Sequence, residues 1–232
     1  MPGYEIINYK EKRAINKLFS GKNYPLIKRN KVRAFELLLK KKIKCKHALA
    51  VTSGTAATKI ALKAVGIKKG DEVITSPISF IASASSIIHV GAKPVFVDVD
   101  DDLNINPDLI EQAITKKTKA IMPVHWTGRV CKMDKIVKIA KKYNLIVIED
   151  SAQAMGAYYK KKHAGTFGKI SAFSTHPLKN LNALGDGGFI ITNEKKLYNK
   201  IKLYRSHGLK GRDNVEIIGV NSRLDSLHAE IL

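Results

Sequence analysis

Three short polar segments of this chain carry side chains able to do chemistry together. The first, Ser53-Gly54-Thr55-Ala56, stands between an apolar run, HALAV, and a helical pattern. Amides at the start of a helix attract anions, and a glycine there lets the backbone come close. Short glycine turns are common, so this feature alone only suggests a phosphate. The second is Asp150, which closes the run LIVIED, with Gln153 three residues on. A carboxylate at a strand end can cap a following helix or act as counter-ion to a protonated heterocycle, and its neighbours leave both open. The third is Lys179, in the Pro- and Gly-bearing loop of FSTHPLKNLNALGDGG, with Ser174 five residues before it. Most lysines simply stay solvated. One held beside an anion site and a carboxylate can form a Schiff base with an aldehyde cofactor, and Ser174 can offer its hydroxyl to the same anion.

Chemistry of this kind needs elements that bring the three segments together. From Ala48 onward, short β-rich runs alternate with helical stretches. HALAVT, DEVITS, PVFVDVD, AIMPVH, LIVIED, KISAFS and GFIIT read as strands. TAATKIALKAVG, FIASASSIIHV, CKMDKIVKIAKKYN and EKKLYNKIKLYRSH read as helices, and Met133, Ile136, Val137 and Ile139 form one apolar face. Pro107 with Asp108 and Glu111 predicts a further helix start. Alternation of this sort predicts an α/β domain with a mostly parallel sheet, whose ligands sit beyond the carboxyl ends of the strands. SGT, EDSAQ and STHPLKN all fall at such ends, so one shared crevice is expected. Residues 1–46 read as an N-terminal helical segment and 47–232 as the binding domain. The close, GVNSRLDSLHAEIL, reads as a helix in progress, which suggests a piece of something longer.

Composition excludes some functions. A chain of 232 residues, 44% hydrophobic, can form a sizeable core. No apolar run reaches the roughly 18 residues that a bilayer demands, and the N-terminus lacks a secretory pattern; a cytoplasmic protein without a membrane partner is expected. Cys45 and Cys131 have no paired spacing for a disulfide or a metal, and read as two reduced thiols. The formal charge of +21 raises the question of nucleic acid. Yet the lysines are spread along the chain, and KKKIKCK has no interleaved aromatics to stack on bases. No nucleic-acid partner is expected; the charge suits attraction of an anionic small molecule such as a sugar diphosphate.

The segments SGTAAT, GDEVITSPISFIAS, GAKPVFVDVD, TKAIMPVHWTG, IEDSAQAMGA, FSTHPLKNLNALGDGG and GVNSRLDSLHAEIL, taken in order over about residues 47–232, resemble the DegT/DnrJ/EryC1/StrS family of sugar aminotransferases. The resemblance implies the large domain of a type I, aspartate aminotransferase-like pyridoxal-phosphate enzyme, with a mostly parallel sheet flanked by helices. A smaller C-terminal domain, absent after Leu232, would help complete the active site. Lys179 would hold pyridoxal 5'-phosphate through a Schiff base and later shuttle protons, and Asp150 would pair with the pyridine nitrogen. Gln153 would lie on the ring-hydroxyl side and Phe80 on the ring face. Ser53, Gly54, Thr55, Ala56 and Ser174 would form the phosphate site, with Asn221 reaching it from the neighbouring subunit of a homodimer with shared active sites. Asn221 read without the resemblance can equally cap the helix starting near Arg223. Gly187 and Gly188 would allow a tight turn behind the lysine. The substrates implied are glutamate and a nucleotide-linked keto sugar, for amino-sugar and cell-surface polysaccharide synthesis. Two alternatives are a pyridoxal-phosphate sugar dehydratase, whose relatives replace the lysine by histidine, and a non-catalytic regulatory relative. Departures are the lysine-rich GKNYPLIKRNKVRAFELLLKKKIKCK, where a glycine-rich approach is usual, and His228, where glutamine is common.

Overall fold

The computed structural model describes residues 8–20 and 30–232. The parts of the N-terminal segment at 1–7 and 21–29, including the start of its lysine-rich stretch, lie outside the described residues. Among the described residues, two helices, α1 (Tyr9–Phe19) and α2 (Asn30–Ile43), precede the sheet. Then follow β1 (His47–Val51), α3 (Gly54–Val65), β2 (Glu72–Thr75), α4 (Ala82–His89) and β3 (Lys93–Phe96). After them come β4 (Thr118–Met122), α5 (Met133–Lys142) and β5 (Ile146–Asp150). A small hairpin, β6 (Tyr158–Tyr159) and β7 (Lys162–His163), leads to β8 (Ile170–Ser174), β9 (Gly188–Thr192), α6 (Lys195–Tyr204) and α7 (Ser226–Ile231).

Seven strands form one sheet in the order β1-β9-β8-β5-β4-β2-β3. Neighbours from β8 through β5, β4 and β2 to β3 are parallel; β9 runs antiparallel to both β8 and β1. The mostly parallel α/β fold expected from the alternation is therefore present, and β9 is its reversed strand. Both faces of the sheet are covered, as the continuous apolar runs require. Alternate residues of a strand point to opposite faces, so Leu49 and Val51 pack with Ala57, Ile60 and Leu62 of α3 on one side. Ala48 and Ala50 pack with Val32, Phe35 and Leu39 of α2 on the other. Along β5, Ile148 faces α3, while Val147 meets Met133, Ile136 and Ala140 of α5. Phe173 and Phe189 stack face to face between β8 and β9, with ring centres 4.5 Å apart.

The expected helix at Pro107 is only a pair of single 3-10 turns, Pro107–Leu109 and Glu111–Ala113. Asn106 caps Asp108, but Ile114 is already extended, because the chain must return to the sheet at Thr118. Cys45 and Cys131 are free and buried, and burial pushes the Cys45 thiol up to about 11 and that of Cys131 higher still. Among the described residues, no helix is long and apolar enough to cross a membrane.

Candidate active site

Parallel strands that stop in line leave a crevice at their carboxyl ends, and here it is a cavity of about 380 Å³. Its wall includes Ser53, Gly54, Thr55, Phe80, Asp150, Gln153, Ser174 and Lys179, drawn from three strand ends, two helix starts and a loop. Ala56 and Asn221 are outside this wall.

At one end of the cavity, the chain leaves β1 and enters α3. Ser53 caps the helix, its hydroxyl accepting the Ala56 amide at 3.1 Å. That commits Ala56 inside the protein, whereas the amides of Gly54 and Thr55 in the first turn have no intrahelical acceptor. The last residue of β8, Ser174, is buried beside them. Gly54 makes this approach possible: a Cβ there would stand 2.7 Å from the Ser174 Cβ. Helix amides and a serine hydroxyl thus lie side by side, an arrangement able to hold an anion.

Asp150 is buried at the end of β5. Its Oδ1 accepts the Ala152 amide at 3.1 Å and its Oδ2 the Ser83 hydroxyl at 2.7 Å. Turns follow Asp150 rather than a helix, so the helix-cap alternative fails. Gln153 is anchored by its Oε1, which accepts the Thr127 amide at 3.0 Å. Phe80, just ahead of α4, is 65% exposed although it lines the cavity, a large apolar face left open at the mouth.

Lys179 sits half-buried in the loop between β8 and β9. The loop is held at its base by the Thr175 amide on the Gly187 carbonyl and the Ala183 amide on Thr175, both at 2.8 Å. Asn182 and Asn180 donate to the Pro177 and Met155 carbonyls. Burial pulls the Lys179 amine below the ordinary lysine range, and the Asp150 carboxylate opposes that pull. A lysine so placed spends more time as the neutral nucleophile than a solvated one.

Gly187 and Gly188 have a different use from the tight turn expected of them. Neither has a positive φ. A Cβ on Gly187 would run into the Thr175 hydroxyl, and one on Gly188 would meet the Phe173 carbonyl at 2.6 Å and the Ser53 backbone at 2.7 Å. They allow three strands to close around the site. Asn221 is exposed, in a single-residue bridge with Ser206. It does not cap the last helix, since Asp225 does so by accepting the His228 amide. His228 is paired with that Asp225 side chain at 2.7 Å.

Ser83, Thr58, Asp186, His176 and Leu178 also line the cavity without having been singled out in the sequence. Ser83 stands three residues after Phe80, one helical turn away, which is the signal that could have found it.

A helix start with free amides, a serine hydroxyl, an amine and a buried carboxylate share one cavity sized for a small ring. This donor set fits a phosphorylated aldehyde with a protonatable ring nitrogen.

A model of the DegT/DnrJ/EryC1/StrS aminotransferase family matches residues 6–232, reaching further toward the N-terminus than the motifs alone. The chain is 48% identical to the pleiotropic regulatory protein of Geobacillus stearothermophilus, over 82% of this chain and 51% of that protein. It is 46% identical to UDP-N-acetyl-3-dehydro-alpha-D-glucosamine 3-aminotransferase of Acidithiobacillus ferrooxidans, over 80% of this chain and 51% of that one. The crystal structure of NtdA from Bacillus subtilis with bound PMP cofactor superposes with a TM-score of 0.86 and 34% identity, over 97% of this chain and 52% of that chain. The chain spans about half the length of the curated relatives it matches.

Proposed function

This chain belongs to the DegT/DnrJ/EryC1/StrS aminotransferase family, and from that premise we propose that it carries the cofactor site of an aminotransferase acting on a nucleotide-linked keto sugar. The observation that carries this reading is the half-buried Lys179 in one cavity with the Ser53–Ser174 anion site and the Asp150 carboxylate. Pyridoxal 5'-phosphate, the family's cofactor, supplies an aldehyde and a protonated ring that draws electrons from the reacting carbon.

Each residue then has a task. The Gly54 and Thr55 amides and the Ser174 hydroxyl bind the phosphate, with Ser53 and Ala56 fixing the helix end that presents them. Asp150 would hold a proton on the ring nitrogen, Gln153 would serve the ring-hydroxyl side, and Phe80 would cover a ring face, keeping water off it. Lys179 Nζ, neutral more often than a solvated amine, would hold the cofactor's aldehyde and would take up and return protons as general acid and base. Glutamate is the proposed amino donor, and the keto sugar is the acceptor that leaves as an amino sugar for polysaccharide synthesis. The working unit is a cytoplasmic homodimer in which Asn221 of each copy reaches the phosphate site of the other, with residues 47–232 as the binding domain and 1–46 as its helical lead. A lysine at position 179, where dehydratase relatives carry histidine, favours transamination over dehydration.

The test is direct. Borohydride reduction of the yellow protein, followed by peptide mapping, should place the pyridoxyl adduct on Lys179. Incubation of the full-length protein with glutamate and a panel of nucleotide-linked 3- and 4-keto sugars should yield an amino sugar identifiable by mass and NMR. A colourless protein without an adduct would support a non-catalytic regulator instead.

A further inference from the structure

Asp150 is held from two sides. The Ala152 amide, two residues along its own turn, occupies Oδ1 at 3.1 Å. The second donor comes from a distant part of the chain: the Ser83 hydroxyl, in the first turn of α4, reaches Oδ2 at 2.7 Å. Ser83 is 2% exposed, so neither partner of this contact can fall back on bulk water. Such a bond to a charged acceptor is short and strong. A carboxylate on one donor can still rotate about its terminal bond, whose torsional preference is broad. Two donors on different oxygens fix its plane, and each oxygen keeps one acceptor site free at the cavity that Asp150 lines.

Resting on the cofactor reading above, we infer that Ser83 is a positioning residue: its hydroxyl fixes the plane of the Asp150 carboxylate so that a free lone pair meets the ring nitrogen. Phe80 and Ser83 belong to the same stretch of chain, so the entry to α4 sets both the ring face and the carboxylate that meets the ring edge.

The inference is tested by binding rather than turnover. Pyridoxamine 5'-phosphate, which forms no covalent bond with Lys179, and its 1-deaza analogue, which lacks the ring nitrogen, are titrated against wild type, Ser83→Ala, Ser83→Thr and Asp150→Ala by calorimetry. Ser83→Ala should weaken the natural ring about tenfold, the low end for a hydrogen bond to a charged group, and leave the deaza ring within about twofold of wild type. Ser83→Thr, which keeps the hydroxyl, should restore binding. A merely structural serine would weaken both rings alike, and that result, or no change with either ring, overturns the inference. Asp150→Ala separates the two levels. If it weakens the natural ring selectively while Ser83→Ala does not, only the role of Ser83 falls. If Asp150→Ala binds both rings like wild type, the cofactor reading of Asp150 falls, and the inference with it.

Discussion

The amine of Lys179 gains its character from burial rather than from sequence neighbours. Its proton affinity is lowered by desolvation, with Asp150 pulling the other way. Cofactor capture should therefore continue at pH values where a solvated lysine is almost wholly protonated, and fall off only as pH drops through the lower value of the folded protein. The rate of yellow-band formation against pH checks this, with N-acetyl-lysine as the solvated reference. Lys179→Ala should abolish the borohydride-stable adduct while the cofactor still binds reversibly. Asp150→Asn keeps the size but discards the charge. Loss of a charge-assisted bond is worth about 1.5–3 kcal/mol, so the glutamate half-reaction should slow at least tenfold with an unchanged circular dichroism spectrum. A near-normal half-reaction would mean that the carboxylate only ties down its own turn.

At the scale of elements, the site depends on how closely α3 can approach β8. Gly54→Ala puts a methyl group 2.7 Å from the Ser174 Cβ, so one element must move. Overpacking of this kind costs about 1–3 kcal/mol. A melting-point drop of several degrees is expected, together with a weaker affinity for inorganic phosphate; an unchanged melting point and affinity would show that the contact yields freely. Much of this level was legible in the sequence. Polar motifs at the ends of apolar runs located Ser53, Asp150, Ser174 and Lys179 at one crevice, because a parallel sheet gathers its strand ends on one side. Three things were not legible. The reversal of β9 depends on pairing with β1 and β8, which no local pattern encodes. The segment after Pro107 had good start signals but too little chain before Thr118 to complete a helix. Ser83 lay in a run of small helix residues, where only the approach of β5 gives it meaning.

For the molecule as a whole, the open question is how many chains build one site. Asn221 is exposed and away from the cavity wall, as a residue serving another copy has to be. In a two-fold dimer each copy would lend this residue to the other. Mixing full-length Lys179→Ala and Asn221→Ala proteins, each weak alone, should restore activity, since a mixed dimer holds one site with both lesions and one with neither. No recovery in demonstrated heterodimers would confine Asn221 to its own chain. The charge of +21 acts over a longer range. If it steers an anionic sugar nucleotide, KM should rise steadily with ionic strength while kcat stays flat, because salt screens attraction at a distance.

The reversed strand also sets a timetable. Among the described residues, 47–51 pair in the sheet with 188–192 alone, and Gly188 is where Val51 and Ser174 meet. A ribosome must therefore release nearly all of this chain before the first strand can dock and the anion pocket can close. Until then an apolar strand waits unpaired, the condition in which nascent chains aggregate or are held by chaperones. Cofactor supply can rescue a mutant only after that moment, so defects in β9 beyond Gly188 should act on the yield of soluble protein rather than on its affinity for the cofactor.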